Sequence, residues 1–163
     1  MPTLNEKLVE YVEDAHAMEQ NVLRMLGTMI DTTTDPEVRA DLERHRIQTE
    51  QHVERLRARL QDMGKGTSPV KDVGMAASAM AKGMLDQVRG DKPGRNARDG
   101  YVAEHMEIAA YELLERVATR AGDELTAEIA RANRQDEQEM ARKIEASWDK
   151  FVALSLAEEG VTA

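Results

Sequence analysis

The chain has 163 residues, 41% of them hydrophobic and 33% charged, with a formal net charge of −9 and no cysteine. That length is expected to form a single domain, residues 1–163, with a real core. The acidic balance argues against binding nucleic acid through its phosphates, and the lack of cysteine excludes disulfides, thiolate metal sites and cysteine nucleophiles. Aromatic residues are only 3%, and Ala, Leu, Glu, Arg and Met dominate, which is a helical composition. No basic stretch followed by an apolar one opens the chain, and no apolar run approaches the ~18 residues of a membrane span. The expectation is a cytoplasmic protein with no membrane partner.

A first helix is predicted from Thr3, where Thr3-Leu4-Asn5-Glu6 fits a capping box, to about Ile30. Its inward positions read Leu4, Leu8, Tyr11, Ala15, Glu19, Val22, Leu26 and Met29. Asp35-Pro36 then starts a second helix that runs to Met63 and stops at Gly64. So short a turn makes the two an antiparallel pair. A Met- and Ala-rich segment, Val70 to about Arg89, reads as a shorter crossover helix, and Arg89 to Arg95 reads as a loop. A third long helix begins between Asn96 and Tyr101 and ends at Ala121-Gly122. Asp123 caps a fourth, expected to continue unbroken to Glu158 with Leu125, Ile129, Ala132, Asp136, Met140 and Ile144 inward. Two hairpins of long helices joined by a long connection predict an all-α, ferritin-like antiparallel four-helix bundle with an extra short helix in the crossover.

Each long helix carries a polar interruption in its apolar stripe: Glu19; His45, Thr49 and His52; Glu104 and Glu107; Asp136 with Glu137. Counting from the turns places these at similar heights, roughly 15 residues from the nearest helix end at a rise of about 1.5 Å per residue. Polar groups on an inward face are costly unless they are satisfied. Carboxylates and imidazoles converging from four helices form the arrangement that holds two divalent metal ions in a bundle core. A cation between the acids relieves their mutual repulsion. The competing reading is a buried polar layer that fixes helix register in a non-catalytic interaction module, with no functional metal. Glu104 and Glu50 are expected at the solvated flanks.

The sequence resembles the YciE/YciF-type ferritin-like family of small bacterial proteins linked to stress. The resemblance rests on Ala17-Met18-Glu19-Gln20, on His45 and the run Thr49-Glu50-Gln51-His52-Val53-Glu54-Arg55-Leu56, on Glu104-His105-Met106-Glu107-Ile108-Ala109-Ala110-Tyr111, and on Gln135-Asp136-Glu137. It implies a homodimer and a dinuclear iron or manganese centre, with Glu19, Glu107 and the acid at Asp136 as ligands. His52 would complete the shell, and Glu50 and Glu137 are further candidates. The reaction implied is oxidation by oxygen or peroxide. The chain departs from the family pattern at Ile47-Gln48, where two acids usually stand, so the ligand set is expected to be incomplete there.

Overall fold

The computed structural model describes residues 1–65 and 92–161. Within them lie five helices: α1 (Leu4–Thr32), α2 (Pro36–Asp62), α3 (Lys92–Ala121), α4 (Glu124–Ala146) and α5 (Trp148–Glu158). The caps expected from sequence are formed. Thr3 Oγ1 accepts from the Glu6 amide at 3.2 Å, and the Glu6 carboxylate accepts from the Thr3 amide at 2.7 Å. Asp35 accepts from the amides of Glu37 and Val38, just ahead of Pro36 in the first turn of α2. Gly122, at φ 72°, turns the chain between α3 and α4. It lets the Asp123 amide reach back to the Ala118 carbonyl.

Two apolar clusters show how the helices run. One joins the start of α1 (Leu8, Val12, Ala15), the end of α2 (Leu56, Leu60), the end of α3 (Leu114, Ala118) and the start of α4 (Ala127, Ala130). The other joins the end of α1 (Val22, Leu26, Met29), the start of α2 (Leu42), the start of α3 (Ala97) and the end of α4 (Met140, Ile144) with Phe151. Thus α1–α2 and α3–α4 are antiparallel hairpins, whereas α2 and α3 point the same way. The chain between Asp62 and Lys92 therefore joins opposite ends of the bundle, which is the ferritin-like connection. The expected crossover helix, Val70 to Arg89, falls outside the described residues.

Three boundaries or registers differ from expectation, each for a local reason. Helix α3 starts at Lys92 rather than beyond Asn96. Its first amides are capped from far along the chain, Lys92 N donating to Glu158 and Gly94 N donating to Ser155 Oγ at 2.8 Å. Pro93 sits in the first turn, where its missing N–H costs nothing. The last helix breaks at Ser147, whose amide closes onto Ile144 O while its carbonyl accepts from Phe151. The break stacks Trp148 edge-on against Tyr101 and Phe151 and buries Phe151.

The third difference is rotational. Helix α4 buries Thr126, Ala127, Ala130, Asn133, Glu137, Met140, Ala141 and Ile144, while Leu125 is 52% exposed. Small side chains on the inward face let α4 lie closely on α3, with which it packs most extensively. That packing outweighs the larger apolar residues on the neighbouring stripe. At the start of α1, Leu4 is likewise exposed rather than inward.

These placements predict opposite outcomes for two leucines. Leu114→Ala, at a fully buried position, is expected to cost about 2–5 kcal/mol in urea unfolding. Leu125→Ala is expected to stay within about 0.5 kcal/mol.

Candidate metal centre

Between the two apolar clusters lies a layer of buried polar side chains. Glu19 enters from α1, His45 and His52 from α2, Glu104 and Glu107 from α3, and Glu137 from α4. His45 and His52 are two turns apart and share a face of α2; Glu104 and Glu107 are one turn apart on α3. All six are at most 1% exposed.

Their ligating atoms gather into two overlapping groups. Glu19, His52 and Glu137 form one, and His45, Glu104 and Glu137 the other; within each group the candidate atoms lie within 4.8 Å of one another. Glu137 is shared. Its Oε1 lies 2.8 Å from His52 Nδ1, and its Oε2 lies 3.4 Å from His45 Nε2. Glu19 Oε1 is 3.3 Å from His52 Nδ1, and Glu104 Oε1 is 3.1 Å from His45 Nε2. These pairs are close, yet His52 Nδ1, His45 Nε2 and both Glu137 oxygens lack hydrogen-bond geometry among the described residues. The atoms crowd toward common points instead of pairing along N–H···O axes. Glu107, fully buried, has neither carboxylate oxygen hydrogen-bonded.

The surrounding shell orients this layer. His52 Nε2 lies 2.9 Å from Asp136 Oδ2, so the opposite nitrogen, Nδ1, faces Glu19 and Glu137. A carboxylate behind a histidine fixes its tautomer and raises its basicity toward a metal. Gln48 Nε2 donates to the other Asp136 oxygen at 3.4 Å. Tyr111 OH donates to Glu19 Oε1, Asn133 Nδ2 donates to Tyr111 OH at 2.9 Å, and Arg55 donates to Asn133 Oδ1 at 2.8 Å. Thr49 Oγ1 donates to the His45 carbonyl at 3.1 Å, which satisfies its own buried hydroxyl.

The electrostatics follow from crowding acids in a dry core. Burial, then the charges of Glu137, Glu19 and Glu104, push the Glu107 carboxyl well above the ordinary range. Burial pushes Glu104 up to about 7 despite its contact with His45, and it raises Glu19 despite His52. For the histidines burial pulls down, but the acids outweigh it. Glu104 and Glu137 hold His45 up to about 9, and Glu137 and Glu19 hold His52 up to about 10. Without cations the layer therefore favours charged imidazoles and protonated carboxyls.

The donor set fits hard divalent ions. Carboxylate oxygens and imidazole nitrogens suit iron and manganese, and no soft thiolate competes. Four carboxylates, Glu19, Glu104, Glu107 and Glu137, would balance two divalent ions with both histidines neutral. The number of each ligand type equals that of di-metal bundles, where two helices give one Glu and two give Glu-x-x-His. Here both histidines come from α2, and α3 supplies a second carboxylate.

Of the residues picked out in the sequence, Glu19, His52, Glu107 and Glu137 meet in the layer. Asp136 sits one position round α4, its side chain 29% exposed, and touches His52 from behind instead of entering the layer. Glu50 is outside altogether, its side chain 51% exposed and paired with Arg46. His45 and Glu104 stand where the sequence reading placed no ligand. Their signal was present, since His45 interrupts the apolar stripe and Glu104 lies one turn before Glu107. Gln48, the departure from the family pattern, faces Asp136, and the second carboxylate arrives from Glu104.

Among the described residues no helix is long and apolar enough to cross a membrane. Residues 3–157 match the model of the family described as a domain of unknown function, DUF892. A solved protein of Xanthomonas campestris pv. campestris is 29% identical with a TM-score of 0.81, over 98% of this chain and 100% of that one. YcfI of Rhodopseudomonas palustris is 23% identical with a TM-score of 0.79, over 88% and 94% of the two chains. The Escherichia coli stress protein YciF is 17% identical with a TM-score of 0.80, over 94% and 99%. Matched along nearly its whole length and sharing that bundle, the chain belongs to the DUF892 family of YciF-like proteins.

Proposed function

We propose that this protein binds two iron or manganese ions in the buried layer and acts in bacterial stress response, oxidising with oxygen or peroxide. One observation carries the reading: two clusters of ligating atoms share Glu137, beside a Glu107 whose two oxygens have no hydrogen-bond donor. Bound there, such ions supply one-electron chemistry toward dioxygen or peroxide. The chain's own residues do the rest. Glu137 would bridge the two positions; Glu19 and His52 would hold one ion, His45 and Glu104 the other. Glu107, buried against Glu19, Glu104 and Glu137, would complete the set. Asp136 keeps the His52 ring turned so that Nδ1 faces the layer, and apolar clusters lie above and below it. The stress assignment leans on similarity to a protein named for stress.

The same proposal includes a cytoplasmic homodimer. Exposed apolar side chains such as Ile47 and Leu113 offer surface for a second copy.

A non-catalytic bundle with a purely structural polar layer is the rival reading. The imidazole–carboxylate contacts favour it, because they cancel part of the buried charge. Glu107 argues the other way, since no imidazole lies on it.

Metal analysis separates the two. Protein purified with iron or manganese present is expected to hold about two ions per chain, and Glu137→Gln or Glu107→Ala to hold far less. Glu50→Ala should hold as much as wild type. Less than about a tenth of an equivalent, unchanged by Glu107→Ala, would end the metal reading.

Stability against pH gives a second measurement. Glu104 has a folded pKa raised from 4.5 to about 7, so its contribution is complete below 4.5 and lost as pH rises to about 7. His45 and His52 are raised from 6.5 to about 9 and about 10, so theirs is complete below 6.5 and lost by those values. Urea midpoints of metal-free protein should therefore fall as pH climbs from about 4.5 to about 10. Manganese should raise the midpoint more at pH 8 than at about pH 5, because the ligands must shed protons to bind it. Equal stabilisation at both would contradict ligation by these groups.

A further inference from the structure

Beside the layer, a narrow cleft of about 70 Å³, continuous with open solvent, penetrates the bundle at the α1–α2 turn end. It runs in between α1, α2, α3, α4 and α5, and Glu104 is among its lining residues. Its mouth lies near Pro93 and its inner reach near Glu104. Along α3 these are eleven residues apart, or about 16 Å at 1.5 Å per residue.

The walls are apolar, formed by side chains such as Met25, Met29, Leu42, Met140 and Ile144. At Gly100 a Cβ would already sit 3.5 Å from Ile144 Cδ1 and 3.9 Å from Met29 Cε, in ordinary contact, so a side chain longer than alanine's would press on the cleft-lining Ile144 and Met29. Methionines adapt to varied apolar shapes.

Several polar groups of the cleft are already engaged. Thr33 Oγ1 donates to the Met29 carbonyl at 2.6 Å, and Asn96 Nδ2 donates to Thr32 Oγ1 at 3.1 Å. Lys150 is held by Asp35 at 3.0 Å and Glu37 at 2.6 Å, and Lys143 lies between Glu139 and Asp41. An anionic ligand would meet committed lysines at the mouth and a carboxylate at the inner end. Burying its charge against apolar walls would be costly. A neutral chain ending in an O–H group has no such conflict. Glu104 Oε2, buried and without a hydrogen-bond donor, is the acceptor such an end group would meet.

We propose that this cleft is a binding site for a neutral, alkyl-bodied small molecule whose terminal O–H reaches Glu104. The inference deepens the metal reading by giving its substrate class, and it rests on that reading only for what happens at Glu104. Binding itself is measured without metal.

The experiment uses full-length, chelator-treated protein with carbon-13-labelled methionine methyls, titrated with 1-decanol and, separately, with decanoate. Methyl signals of Met25, Met29 and Met140 should move along one saturating curve. That of Met63, packed on the far apolar cluster at the end of α2, should stay in place. Decanoate should bind at least about tenfold more weakly than decanol. Gly100→Leu, checked for folding by its melting temperature, should weaken decanol by a similar factor.

No saturating shift at the three cleft methionines, equal movement of Met63, or decanoate binding as tightly as decanol would each overturn the proposal. Because the wild-type methyl pattern carries the result, a Gly100→Leu chain that fails to fold leaves it decided. Metal content is read independently. A cleft that binds nothing in a protein that still loads two ions would sink this inference and leave the metal reading standing.

Discussion

Four carboxylates held out of water in one layer are the constraint on which this structure depends. An ionised carboxylate in an apolar core is costly unless opposite charge or hydrogen bonds surround it. Two imidazolium ions can offset only two of the four. The remainder must carry protons, or else divalent cations must take over and return the histidines to their neutral form. Either way the layer tolerates little slippage, because moving one helix by a turn would set an acid against the apolar clusters on either side. The charged layer thus fixes the height of each helix more strictly than apolar packing does.

The seam between α2 and α4 shows how that height is held. Gln48 and His52 meet Asp136, His52 also meets Glu137, Arg55 meets Asn133, and Arg59 meets Thr126 and Asp123. Moving down α2, the partners step back up α4, as antiparallel helices require. Every rung is polar. The other seams are closed mainly by the apolar clusters, so this one works as a graduated scale that aligns the two hairpins. It also links the surface to the centre, since Arg55 leads through Asn133 and Tyr111 to Glu19.

Much of this was legible along the chain. Caps at Thr3 and Asp35, the turn at Gly122 and the polar breaks in each stripe are local features, and they reappear as expected. What sequence could not supply was set by distant partners. The start of α3 is capped by Glu158 and Ser155 of α5, so nothing beside Lys92 announces a helix. The rotation of α4 is decided by how closely it approaches α3. A stripe chosen by side-chain size selects Leu125 and Asp136, whereas close packing selects Ala127, Ala130 and Glu137. Of the two neighbouring acids offered by the sequence, this packing puts Glu137 in the layer and Asp136 behind His52. Glu104 was discounted as a flank residue because acids on helices usually face water, and only the position of His45 across the core reverses that expectation.

The absent acid at Gln48 shows why a linear motif is a poor measure of such a centre. A motif records which residues follow one another on a helix, but ligation depends on which side chains share a cross-section of the bundle. On α2 the chain carries an amide where a carboxylate would ligate, and on α3 it carries a carboxylate, Glu104, one turn from Glu107. The cross-section still holds four carboxylates and two imidazoles. The amide is used elsewhere, as a donor to the Asp136 that orients His52. Glu104, on α3, also lines the apolar cleft at the turn end. It thus belongs both to the cross-section of the layer and to the lining of the cleft.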